Sequence, residues 1–252
     1  MPLPRLSCFW KNSKVNRTAR RALDRHAGDI ITAFDAAGPF PGQEATPEAL
    51  AAAVRECLET CTLIIQEQGE DSETGLPPEE LDELSDCLME CLSDLGLWAW
   101  QLKRDEARAG IEDLALDAAQ WLSARGAQIS VLEPAVNALT RQANASSDPA
   151  ALKTLFERGC AIISCTSEAI SGSRDPAVLQ PWLMLHFNCA IIATRSGDGT
   201  AMNAAYDLLE SHLPGHCVTF FREGLAEVSK PAYSEAARQA MRQRFAKWTA
   251  QG

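Results

Sequence analysis

Apolar residues recur at spacings of three and four along almost the whole chain, and that period leaves little room for anything but α-helix. The plainest stretch is Leu50, Val54, Cys57, Leu58, Cys61, Ile64 and Ile65, a single stripe that must face a core. It opens at Thr46-Pro47-Glu48. Thr46 can cap the free amides of a first turn, Pro47 has the φ of a first helical residue, and Glu48 suits the positive helix end. This helix is expected to stop near Gly69. The polar run from Asp71 to Pro78, with Gly75 and two prolines, reads as a loop. The next helix carries Leu81, Leu84, Leu88, Cys91, Leu92 and Leu95, and the two helices are expected to form an antiparallel hairpin.

The same period continues over about 104–124, with Ile111, Leu114, Ala118 and Trp121 on one side and Arg125-Gly126 as the stop. A shorter helix is expected over 132–143. Asp148-Pro149 and Asp175-Pro176 are strong start signals, because an Asp caps the amides and a Pro at the next position gives up no needed hydrogen bond. Each opens an apolar stripe of helical period, Leu152, Leu155, Phe156, Cys160 and Ile163 after the first and Val178, Trp182, Leu185, Cys189 and Ile192 after the second. Further helices are expected over 199–212, 215–228 and 232–249, set off by Gly197, Pro214 and Pro231. Nowhere do Val, Ile and aromatic residues alternate with polar ones over a strand length. The fold class is therefore all-α, an irregular antiparallel helical bundle or a short α-solenoid of about eight to ten helices. Residues 1–45 read as a basic N-terminal segment with one helix, and 46–252 as a single helical domain, with 126–147 the place where it would subdivide.

The stretch from Trp182 to Leu213 resembles a tetratricopeptide repeat at Trp182, Leu185 and Ala205. It departs from that pattern at His186, Cys189, Asp198 and Glu210. The resemblance implies peptide recognition in a concave groove for the C-terminal half, with no binding residue carried over.

Charge is unevenly spread. From Glu44 to Asp94 there are fifteen acidic residues against Arg55, whereas Met1 to Arg25 holds seven bases and only Asp24 as an acid. A net charge of -11 argues against general nucleic-acid binding, which rests on Lys and Arg neutralising phosphates. Such charge is ordinarily a solvated face. Its functional reading is that Glu79, Glu80, Asp82 and Glu83 steer a protein partner with a basic surface. No run reaches the roughly 18 consecutive apolar residues of a membrane span, and polar and basic residues from Lys11 onward stand where a signal peptide would place its apolar region, so membrane insertion and export are not expected. Nine cysteines, an odd number in a chain too long to need stapling, suggest reduced thiols and a cytoplasmic setting.

Phosphate-binding loops, Gly-x-Ser-x-Gly, His-Glu-x-x-His and Glu-x-x-His are all absent, which favours a non-enzymatic adaptor or scaffold over a helical enzyme with an unrecognised site. His212, His216 and Cys217 form the densest donor cluster, but Pro214 and Gly215 interrupt the helix that would align the histidines. The alternative is a thiol-based metal protein. Cys57 with Cys61 and Cys87 with Cys91 each span one helical turn, and the hairpin would bring both pairs to one height. Four such thiolates would suit Cu, Zn or an iron–sulfur cluster, although no cofactor is expected here. Against it, Cys57, Cys61 and Cys91 continue apolar stripes, where buried cysteine behaves as a small hydrophobe.

Overall fold

The computed structural model describes residues 13–38, 45–68 and 76–250. They form eleven α-helices: α1 Ser13–Ala37, α2 Pro47–Gln68, α3 Pro78–Gln101, α4 Asp105–Ser123, α5 Glu133–Ala145, α6 Pro149–Ser164, α7 Glu168–Ser171, α8 Pro176–Ser196, α9 Gly199–His212, α10 Cys217–Val228 and α11 Glu235–Thr249. One 3-10 turn, Pro214–His216, leads into α10. Among the described residues extended pairing is confined to one parallel bridge, Ile129 to Thr166, so the chain is all-α. The expected stop at Gly69 and most of the expected 71–78 loop lie outside the described residues.

The chain divides into two compact units. The first holds the described residues up to Ala138 together with Ser164–Ser171. In it α1 packs on α2 and α4, and α3 packs on the same two helices, which closes a four-helix bundle. Leu23, Ile30, Leu58, Leu88, Ile111 and Trp121 meet in its interior. The antiparallel α2–α3 hairpin is pinned where Trp98 Nε1 donates to the Ala45 carbonyl at 3.1 Å, with Phe34 edge-on to the indole. Part of the opposed charge of α1 and its neighbours is spent internally. Arg20 meets Glu59 at 3.0 Å, Asp24 meets Arg55 at 2.9 Å, and Arg25 meets Glu106 at 2.9 Å. All three pairs are solvated, so each contributes at most about 1 kcal/mol.

The second unit comprises Leu139–Ile163 and the chain from Gly172 onward. Asp148 caps α6 by accepting from Ala150 and Ala151 amides, and Asp175 caps α8 by accepting from Ala177, as the Asp-Pro pairs predict. Gly197 closes α8 in the left-handed region at φ 71°, and Asp198 at once caps α9, so two residues suffice to reverse the chain. Lys153 holds Asp198 from α6 at 2.8 Å. Helices α8 and α9 form one pair, α10 and α11 a second, and α11 also packs on α9.

Gly159 of α6 marks a close approach. A Cβ there would lie 2.4 Å from Cys189 Sγ of α8 and 3.3 Å from Leu139 Cδ2. Gly159→Ala is therefore expected to destabilise this unit by about 1–2 kcal/mol, overpacking outweighing the roughly 1 kcal/mol gained in helix propensity. Thermal unfolding checks this. Adding Cys189→Ala, which removes the obstructing sulfur, should make Gly159→Ala less costly; an equal penalty in both backgrounds would place the strain elsewhere.

Candidate functional site

Helix α8 is apolar on two faces. Of the stripe that a helical period predicts, Trp182, Leu185, Cys189 and Ile192 are buried, while Val178 in the first turn is 37% exposed. Met184, Phe187, Asn188, Ile191 and Arg195 recur at helical spacing too, and they line a groove completed by α10, α11 and Asn144 of α5. This double apolarity makes α8 long and apolar enough to cross a membrane by length and composition, although half of that stretch is buried inside the protein.

The groove encloses about 780 Å³. Phe187 and Phe220 stack across it with planes 10° apart and centroids 5.7 Å apart, and His216 stands edge-on to Phe187. Behind Phe220, Phe221 is fully buried and edge-on to Tyr206, whose hydroxyl bonds Thr194 Oγ1 at 2.7 Å. These contacts fix the α10 wall from within. Gly224 admits the Met241 side chain, whose sulfur and methyl would sit 2.7 Å from any Cβ at that position. Met184 and Ile191 nonetheless remain 38% and 44% exposed, an uncovered apolar face.

Polar groups at the groove are unequally committed. Arg195 donates to the carbonyls of Ala143 at 3.0 Å and Ser146 at 2.7 Å, so it serves the end of α5. Asn188 donates to Thr140 Oγ1 at 2.7 Å. Glu227 takes a hydrogen bond from Lys230 at 2.5 Å, which holds its carboxyl below the usual range, and one from the Tyr233 hydroxyl at 3.4 Å. Burial, followed by the Glu227 charge, pushes the Tyr233 hydroxyl up. Glu223, one turn before Glu227, is exposed and has no ion-pair partner among the described residues.

The residues singled out from sequence have divergent fates. Glu79, Glu80 and Glu83 are exposed in the first two turns of α3, but Asp82 accepts the Gln128 amide at 2.7 Å and so ties down the chain after α4. Cys57 and Cys61 are buried, Cys91 is half-buried and Cys87 is exposed. Cys57 and Cys87 bring their sulfurs to 3.6 Å across the α2–α3 hairpin. Cys61 instead lies in the core, where burial pushes its thiol up to about 12. His212, His216 and Cys217 do not converge: His212 turns to His186, His216 to Phe187, and Cys217 to the Leu209 and Leu213 carbonyls. Among the described residues no group of three or more His, Cys, Asp or Glu side chains is placed to hold a metal ion.

Comparison of the chain with protein-family models, with curated proteins and with solved structures finds no match.

Proposed function

We propose that this protein is a non-enzymatic adaptor whose C-terminal unit binds, in the α8–α10–α11 groove, a segment of a partner protein that carries apolar side chains beside a basic one. The uncovered apolar face of Met184 and Ile191 above the Phe187–Phe220 stack carries the reading. Apolar side chains left in water at a concave surface gain roughly 25 cal/mol per Å² when a partner covers them. The polar groups favour a cationic residue in that partner. Arg195 already gives two of its five N–H donors to backbone carbonyls and Glu227 is paired with Lys230, whereas Glu223 presents an exposed carboxylate at the same rim. A ligand cation there would gain Coulombic attraction that salt screens. The tetratricopeptide resemblance of the Trp182–Leu213 stretch, which implies peptide recognition in a concave groove, supports the same reading.

Selection of random phage-displayed peptides on the full chain tests this. Enriched peptides are expected to pair aromatic or aliphatic residues with Lys or Arg, and Ile191→Glu is expected to weaken them by about tenfold or more, near 1.4 kcal/mol. Glu223→Lys should weaken them less at high salt than at low salt. Enriched peptides that bind the Ile191→Glu protein as tightly as wild type would overturn the assignment.

A further inference from the structure

We propose that Cys57 and Cys87 are a peroxide-sensitive dithiol that closes to a disulfide between α2 and α3, independently of the groove in the C-terminal unit. Their sulfurs already lie 3.6 Å apart on facing helices, and a disulfide requires them to close to about 2.05 Å. The two thiols differ in access. Cys57 is only 6% exposed, whereas Cys87 lies on the solvent side of α3, where a small hydrophobe gains nothing from burial. Core packing accounts for Cys57 and Cys61, and it leaves Cys87 without a reason.

The neighbouring thiols narrow the pairing. Cys91 is one turn from Cys87 on the same helix, where Cβ atoms stand about 5–6 Å apart, beyond the roughly 3.8 Å that a disulfide accepts. Cys61, fully buried one turn from Cys57, has Arg125 rather than Cys87 as its charged neighbour. Burial pushes the Cys57 thiol far up, and the hydrogen bond with Cys87 adds to this. Burial also raises Cys91, to about 11. Exposure therefore makes Cys87 the thiol that meets the oxidant.

Hydrogen peroxide, or an organic hydroperoxide, is the oxidant class. The Cys87 thiolate attacks one peroxide oxygen, the O–O bond breaks, and the sulfur becomes a sulfenic acid while the departing hydroxide takes up the thiol's proton as water. Cys57 sulfur then attacks the sulfenic sulfur. The S–S bond forms, the S–O bond breaks, and the leaving hydroxide takes the Cys57 proton as a second water. Two thiols lose two electrons and two protons, and the peroxide is reduced to two waters.

The test treats the reduced full chain with hydrogen peroxide, blocks remaining thiols by alkylation, and digests with a protease that cuts after acidic residues. That cleavage separates residues 57–59 from 87–90, so only a disulfide keeps them together. The expected result is a joined pair two hydrogens lighter than the separate peptides, present in wild type and in Cys91→Ser, and absent in Cys87→Ser. In Cys57→Ser, Cys87 should be trapped as a sulfenic acid by dimedone. A wild-type digest with Cys87 joined to Cys91, or with Cys57 and Cys87 both alkylated after peroxide, would overturn the proposal. Circular dichroism of each variant establishes that it is folded.

Discussion

Leu155→Asp is expected to unfold the C-terminal unit at temperatures the wild type tolerates. Leu155 is 7% exposed on α6, and Leu152, Phe156 and Ile163 of the same helix are buried with it. A carboxylate placed there loses its water on an apolar stripe, the bases nearest to it along α6 being Lys153, which is held by Asp198, and the buried Arg158. Removing the leucine packing alone costs about 2–5 kcal/mol, and burying an unpaired charge adds several more unless the group takes up a proton. That sum approaches the whole stability of an ordinary domain, about 5–15 kcal/mol. Urea unfolding followed by circular dichroism measures it, with Leu155→Met as the control for volume, expected to cost under about 1.5 kcal/mol. A Leu155→Asp midpoint equal to that of wild type would mean that this stripe does not face a core.

Leu155 could be named from the sequence because its environment is local and periodic. The Asp-Pro starts, the Thr46 cap and the spacing of Leu152, Leu155 and Phe156 all depend on residues within a few positions of one another, and each appears in the structure where it was expected. Features that depend on distant partners were not legible. Helix α7 has only four residues, too few for a period to show, and the Ile129–Thr166 bridge joins segments 37 positions apart. Asp82 illustrates the same limit. Sequence groups it with Glu79, Glu80 and Glu83 as surface charge, but the fold brings the Gln128 amide to it and gives it a structural task.

The groove was missed for a different reason. Reading α8 as one stripe, Val178, Trp182, Leu185, Cys189 and Ile192, accounts for the burial of the last four and stops there. The signal was the remainder: Met184, Phe187 and Ile191 are three further large apolar side chains off that stripe. A helix apolar on two faces is either buried all round or faces something beyond its own core. The exposure of Met184 and Ile191 decides between these, and exposure is not readable from the chain alone. The cysteines show the converse. Their spacing correctly put Cys57 and Cys87 at one height on the hairpin, yet it could not show that Cys61 turns into the core while Cys87 turns outward.

His186, one of the departures from the tetratricopeptide pattern, gives the second large effect. It is 1% exposed, wedged edge-on against Trp182 and facing His212. Its Nδ1 lies 3.0 Å from the Trp182 carbonyl, which can only accept, so the proton sits on Nδ1. Nε2 is then the acceptor for His212 Nδ1 at 2.8 Å. Burial lowers His186 from 6.5 to about 4, the Trp182 bond opposing and His212 assisting. The unfolded chain therefore binds a proton near pH 6.5 that the folded protein refuses until about pH 4. The stability from this group is complete above pH 6.5, falls as the medium is acidified, and is lost in full below about pH 4, a total of roughly 3 kcal/mol. By pH 5.5 the loss should be about 1.4 kcal/mol. Carboxylates elsewhere titrate over part of the same range, so the measurement is a difference. His186→Gln preserves a donor toward Trp182 and an acceptor toward His212 but cannot take up the proton. Urea unfolding from pH 7.5 to pH 4.5 should show wild type losing stability more steeply than His186→Gln, the two curves converging toward acid. Parallel curves would mean that His186 already binds its proton in the folded protein, and that its Nε2 is not the acceptor described.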